Sequence, residues 1–250
     1  MFAKYILDYK TNLFDDLYKS IKFEDITNGR KGAILVELQN KIDNLSIPIV
    51  RTTSIYNNPV QSFLPIHCDI IKNINKISNI NLSFNNALIE TYDINYRNMK
   101  EHSDQSLDLA DDSYICLFSC YEDSADTNIR KLQIKGKHTD ESFEFLLEHN
   151  SIILFSLTTN SKYLHKIVLD KIYNKTNNRW LGITFRLSKT FIHFINELPY
   201  FSNGNQLTLA NDEQKKEFYK LRGKENLNID FSYPEIYYTI SISDTLMILQ

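Results

Sequence analysis

The chain has 250 residues, 42% of them hydrophobic and 24% charged, with a formal net charge of −3. This balance excludes long disorder and collagen-like or low-complexity chains, and it lacks the basic excess of an ordinary nucleic-acid binder. Three cysteines without a CxxC pair argue against a disulfide framework and a structural zinc site. From the N-terminus, acids come early and no apolar signal core follows. No apolar run approaches the ~20 residues that span a bilayer, so a soluble intracellular protein of the cytoplasm or nucleus is expected, with no membrane partner. Ile6, Leu13, Leu17 and Ile21 recur at roughly helical spacing and predict a first helix. A second is predicted over Ile34 to Ile42. Pro48 to Pro59 is turn-rich, and a third helix is predicted to start near Pro65.

From Phe84 the texture changes to short β-rich runs separated by polar turns: 84–92, 113–121, 130–136, 142–149, 151–157, 163–169 and 179–187. Several alternate apolar and polar residues at period two. After Phe194 come a charged helix over 211–225 and a β-like run at 237–244. The fold class is α+β. A sandwich, jelly roll or barrel is expected, with the helical first third packed outside one sheet. One domain spans 1–250. Its parts are a mainly helical support and lid region (1–83), a β core (84–192) and a C-terminal extension (193–250), whose role the sequence leaves open.

The chemistry centres on EHSDQS, residues 101–106. On an extended segment His102 and Asp104 point to the same side, so an imidazole and a carboxylate can share one cation. A further ligand would complete a two-histidine, one-carboxylate face of the kind that suits non-haem Fe(II). The candidates are His138, His149, His165 and His193. His138 lies in a polar turn, His149 in a turn before a strand, and His193 in an apolar run that suits a core or edge position. His165 sits early in a strand that a jelly roll brings beside His102, and is preferred. Arg186 is a lone cation in the strand pattern WLGITFRL, on the face shared by Gly182 and Thr184. A buried arginine needs a carboxylate, so it either forms an internal ion pair or grips an acidic small molecule. Arg130, Lys131, Lys135 and Lys137 form a basic run that is either a solvated strand edge or a track for phosphates.

In combination these residues resemble the AlkB-like branch of the Fe(II)- and 2-oxoglutarate-dependent dioxygenases, over roughly 48–190. ALIETY (87–92) looks like the family strand whose tyrosine contacts 2-oxoglutarate, which falls on Tyr92. HSD matches the HxD pair, and LLEHNSIILFS followed by YLHKI resembles the segment that carries the distal iron ligand, His165. ITFR (183–186) matches the closing T-F-R, with Arg186 as a carboxylate partner. The resemblance implies a double-stranded β-helix (jelly roll) catalytic core. His102, Asp104 and His165 would hold Fe(II). Arg186, Tyr92 and Thr184 would hold 2-oxoglutarate, with O2 as the other co-substrate. Segments 51–63 and 93–101 would roof the substrate site. The implied reaction is hydroxylation of a C–H bond, including oxidative demethylation of an alkylated nucleobase in DNA or RNA, which would need base flipping. The departures are Trp180 in place of the first arginine of the family's Arg-x5-Arg, Glu90 in place of its asparagine, and Ser106 in place of an acid. Arg179 is one residue off and therefore on the opposite face. Hydroxylation of a protein side chain or a small metabolite is the alternative within enzymes. A non-catalytic jelly-roll binding protein is the alternative outside them.

Overall fold

The computed structural model describes residues 1–41, 44–126, 128–172 and 177–248. The first elements are β1 (Ala3–Ile6), α1 (Phe14–Ser20), β2 (Glu24–Thr27), β3 (Arg30–Val36), β4 (Gln39–Lys41), β5 (Asn44–Pro48), β6 (Gln61–Ser62) and α2 (Pro65–Ser78). The middle of the chain supplies β7 (Asn86–Tyr92), β8 (Tyr114–Tyr121), β9 (Lys131–Gly136), β10 (Ser142–Leu146), β11 (Ser151–Ser156), α3 (Leu157–Lys162), β12 (Tyr163–Val168) and β13 (Trp180–Arg186). The C-terminal part adds β14 (Phe191–Ile195), β15 (Leu198–Phe201), β16 (Thr208–Leu209), α4 (Asp212–Leu227), β17 (Tyr238–Thr239) and a 3-10 turn (Ile242–Thr245). No helix among the described residues is long and apolar enough to cross a membrane.

Two sheets carry the architecture. The large one runs β1-β11-β8-β13-β7-β3-β2, with β6 on β3, and the small one runs β10-β9-β12. Bridges Asn98↔Val168 and His102↔His165 lay residues 98–102 along the free side of β12. The chain therefore visits the large sheet at β7, the small at 98–102, the large at β8, the small at the β9–β10 hairpin, and so on to β13. That alternation is a jelly-roll connection. All pairings in this core are antiparallel.

Period-two alternation assigns the two faces of the large sheet. Leu181, Ile183 and Phe185 of β13, with Cys116 and Phe118 of β8, face outward into a cluster that includes Phe14 and Leu17 of α1 and Ile70 and Ile74 of α2. Trp180, Tyr92, Ile115, Leu117 and Tyr121 face inward and pack with Leu132, Ile134 and Ile167 of the small sheet. α2 begins where Pro65 presets the first helical φ, and His67 Nδ1 accepts from Leu64 N at 2.9 Å. It ends at Asn79 in the left-handed region, φ 54°.

The first 83 residues are mixed rather than mainly helical. The helix expected over 34–42 is instead the end of β3 and then β4, and Ile42 lies outside the described residues. The reason is that β3 is covered on both faces. Ala33 and Leu35 join the outer cluster, while Val36, with Ile34 against it, joins a third cluster with Ile47 and Ile192. A strand buried twice shows a continuous apolar run, which periodicity cannot separate from a helix. Ile6, placed at the start of a helix by spacing, ends β1, and helix α1 starts only at Phe14. Of the β-like run at 237–244, only β17 is a strand, followed by the 3-10 turn.

Candidate metal centre

The bridge between 98–102 and β12 builds the site. His102 N donates to His165 O at 3.0 Å and His165 N to His102 O at 2.7 Å, so the two imidazoles leave adjacent strands side by side. Their ring centroids lie 4.7 Å apart. Asp104 comes from the loop just past the bridge, with Oδ1 3.8 Å from His165 Nε2. One ligand atom from each of His102, Asp104 and His165 lies within 4.8 Å of the others.

Their protonation suits metal binding. His102 Nδ1 contacts Lys100 O at 2.9 Å. A carbonyl only accepts, so Nδ1 carries the proton and Nε2 keeps its lone pair. Burial pulls His102 below the ordinary histidine range, helped by the Arg222 charge. Burial, with His102 beside it, pulls His165 down to about 3. Burial works against the Asp104 charge, but His165, Arg186, His102 and Arg222 outweigh it and hold the carboxyl below its usual value. Two neutral imidazoles and one carboxylate are the state a divalent metal needs. Asp104 Oδ2 is buried with no hydrogen-bond partner among the described residues. An orphaned carboxylate oxygen between two lone-pair nitrogens fits a cation.

The triad opens on a cavity of about 110 Å³ between the sheets. That is room for about four waters, so one small molecule fills it. Ile115, Leu117, Leu132, Phe155 and Ile167 give it apolar walls, while Gly182, Thr184 and Arg186 line it from β13. Arg186 is 4% exposed, and its one hydrogen-bond acceptor among the described residues is Asn86 Oδ1, at 3.4 Å. Its Nε has no partner among the described residues, and burial holds the guanidinium below its ordinary value. Of the two readings of Arg186 left open by the sequence, no internal ion pair of this residue occurs among the described residues. A buried guanidinium without a direct carboxylate partner fits an incoming carboxylate.

Tyr92 and Thr184 part company here. Thr184 lines the cavity, whereas Tyr92 is fully buried behind it and its hydroxyl donates to Glu90 Oε2 at 2.6 Å. Glu90 also accepts from Arg30 Nε at 2.7 Å and from Tyr56 Oη at 3.3 Å. Trp180 occupies the cavity wall, its ring lying over Gly182. Arg179 points away, pairing with Glu122 at 2.7 Å and covering the Tyr18 ring at 4.3 Å. His138 is exposed on the β9–β10 turn, His149 lies in a turn, and His193 sits on β14 in another sheet. None of these three joins the cluster.

Sequence reasoning missed the residues that hold the 102–108 loop: Asn160, Arg222, Glu225 and Asn226, and the Arg51–Asp108 pair. They are polar and distant in sequence. The only available signal was a charged pair, Arg222 and Glu225, at helical spacing on α4.

A family model described as the 2OG-Fe(II) oxygenase superfamily matches residues 33–186 of this chain. No curated protein matches the sequence. Among solved structures, "The structure of OsALKBH1" is 14% identical, covering 58% of this chain and 78% of that chain with a TM-score of 0.40. A likeness that loose places no residue. The family match spans β3 to the end of β13, which encloses all three residues of the triad and Arg186.

Proposed function

The chain belongs to the 2OG-Fe(II) oxygenase superfamily, and from that premise we propose that His102, Asp104 and His165 hold its Fe(II) and that it hydroxylates a substrate C–H bond. The observation that carries this reading is the convergence of two neutral imidazoles and an orphaned carboxylate on one point of an enclosed cavity. Fe(II) and 2-oxoglutarate, when bound, supply the oxidising chemistry that puts one atom of O2 into a C–H bond and converts the keto acid to succinate and CO2. The protein supplies position and polarity. Arg186 receives a carboxylate of 2-oxoglutarate through a fixed fork of donors, and Thr184 offers a hydroxyl beside it. The apolar walls keep water from the reacting centre. The residues fit the co-substrate at Arg186. At the Tyr92 end the donors are already taken up by Glu90, so Tyr92 serves the site by packing against Trp180, 4.7 Å between centroids.

The cavity is filled by the co-substrate, so the oxidised substrate reaches the metal from its mouth. Thr52, Thr53 and Ser54 of 51–63 and Met99 of 93–101, the two segments expected as a roof, line the cavity together with Gln105. Two substrate classes divide the proposal. Demethylation of an alkylated nucleobase asks for free cations around the mouth. The basic run supplies little of this: Arg130 is buried on the carbonyls of Tyr96 and Asp93, Lys131 pairs with Glu144, and Lys137 donates to Glu225 O, which leaves Lys135 as the exposed member. That observation favours hydroxylation of a small metabolite or a protein side chain. In both cases the chain acts as one unit over 1–250.

The test is turnover. Protein with Fe(II), 2-oxoglutarate and O2 should form succinate, and His165→Ala and Asp104→Ala should reduce it at least a hundredfold. Methylated single-stranded oligonucleotides are then compared with peptide and metabolite pools. Formaldehyde release with the oligonucleotides alone assigns the nucleobase class. Stimulated succinate with the pools assigns the other. Succinate formation that both substitutions leave unchanged refutes the site.

A further inference from the structure

Between His102 and Leu109 the only bridges among the described residues are those at the two ends, so the loop's polar backbone groups need other partners. Asn160 of α3 takes both groups of Asp104. Asp104 N donates to Asn160 Oδ1 at 2.7 Å, and Asn160 Nδ2 donates to Asp104 O at 2.7 Å. Three more are met by α4. Ser103 N donates to Asn226 Oδ1 at 3.1 Å, Arg222 Nη2 donates to Ser103 O, and Ser106 N donates to Glu225 Oε1 at 2.8 Å. The hydroxyls of Ser103 and Ser106 donate to the same Asn226 and Glu225 oxygens.

These side chains are themselves fixed. Arg222 and Glu225 are 8% and 4% exposed and pair at 2.6 Å, and Tyr233 Oη donates to Glu225 Oε2 at 2.7 Å. The far end of α4 is tied to the β9–β10 turn, where Lys137 Nζ donates to Glu225 O at 2.7 Å and His138 Nε2 to Leu227 O at 2.8 Å. Further along the loop, Asp108 forms a buried two-point pair with Arg51, which also donates to the carbonyls of Ile236 and Tyr238. The loop is thus anchored to the C-terminal segment at both ends.

We infer that α4 is a component of the metal centre, and that Arg222 and Asn226, backed by Glu225, are positioning residues that hold the 102–106 backbone where His102 and Asp104 face His165. This rests on the reading of those three residues as the metal set. It gives a role to a helix that lies beyond the residues matched by the family model. The physical effect is on population. A loop freed from these partners spends only part of its time in the ligating conformation, and apparent metal affinity falls by that fraction. Partners that orient metal ligands commonly account for about tenfold to hundredfold in affinity.

The experiment titrates full-length, metal-free protein with Co(II), reading the visible ligand-field absorption, and measures the melting temperature of each metal-free variant alongside. Asn226→Ala and Arg222→Met should raise the Co(II) Kd about tenfold to hundredfold. Arg222→Lys, which keeps one charged donor, should recover part of it. Leu221→Ala, from the same helix but packed in the C-terminal cluster, should lower the melting temperature and leave the Kd within about twofold. Should Arg222→Met fail to fold, Asn226→Ala, whose side chain is only partly buried, decides the matter. Wild-type affinity in Asn226→Ala, or a loss in Leu221→Ala that matches its loss of stability, overturns the clamp. A His165→Ala variant that binds Co(II) like wild type overturns the metal assignment and the clamp with it. A weakened His165→Ala beside an unaffected Asn226→Ala overturns the clamp alone.

Discussion

Replacing Arg186 by methionine should make the protein no less stable while removing its grip on 2-oxoglutarate. The residue is buried on β13 with one acceptor, Asn86 Oδ1 at 3.4 Å, and an Nε without a partner among the described residues. Breaking a satisfied buried ion pair by removing one partner destabilises by about 3–5 kcal/mol, whereas replacing a whole buried pair with apolar side chains of similar volume is neutral or stabilising by about 1–4 kcal/mol. Arg186 has no ion pair to break among the described residues, and burial outweighs the pull of Asp104 and Glu90 on its charge, so its removal should cost no stability. Binding should move the other way. Two charge-assisted hydrogen bonds at about 1.5–3 kcal/mol each amount to about 3–6 kcal/mol, or about two to four powers of ten in Kd. Calorimetric titration of Mn(II)-loaded protein with 2-oxoglutarate measures the second effect, and thermal melting of the metal-free protein measures the first. An unchanged Kd, or a destabilisation of about 3–5 kcal/mol, would refute the reasoning.

Gly182→Ala should destabilise the fold by about 1–3 kcal/mol through overpacking. A Cβ there would sit 2.1 Å from Trp180 Cη2, and chemical denaturation with Trp180 fluorescence reports both the loss and the displaced ring. His67 introduces a pH dependence. Burial holds it near a pKa of about 4, against about 6.5 when unfolded. Between those values the unfolded chain binds the proton and the folded one does not. Stability should therefore fall as pH drops from about 6.5 to about 4, by about 3 kcal/mol in all. His67→Asn, which keeps an acceptor for Leu64 N, should flatten that part of a urea-stability profile. Burial pushes the Cys116 and Cys120 thiols up, while Cys68 is half-exposed. A disulfide reagent should label one cysteine in the native protein and all three after unfolding, and rapid labelling of two or more in the native state would contradict the inner packing of β8.

Some strands from Phe84 onward were legible because they alternate, as β9 does with one side chain in two turned inward. Others, such as β8 and β11, are buried on both faces and were legible as short apolar runs bounded by polar turns. β3 was not legible as a strand, since both its faces are covered, and β1 was hidden because Ile6 happens to fall at helical spacing from Leu13. The triad was legible for a local reason and a topological one. His102 and Asp104 are two residues apart, and the jelly-roll connection alone brings β12 and His165 beside them. Arg186 declared itself as a cation in an apolar run. Its family partner did not, because Trp180 stands where a second arginine was expected, and Glu90 then takes the Tyr92 hydroxyl. The supports of the loop, Asn160 and the side chains of α4, act through backbone hydrogen bonds. Such bonds leave no pattern in a single sequence.

The central claim is a metal at His102, Asp104 and His165 with 2-oxoglutarate seated against Arg186. Fe(II) and 2-oxoglutarate added to the protein without oxygen test it most directly, through the visible charge-transfer absorption of the chelated metal. The account requires that band in the wild type, and a weaker one in His165→Ala and Arg186→Ala that are folded by circular dichroism. A folded wild type without the band, or a band that both substitutions leave intact, would contradict it.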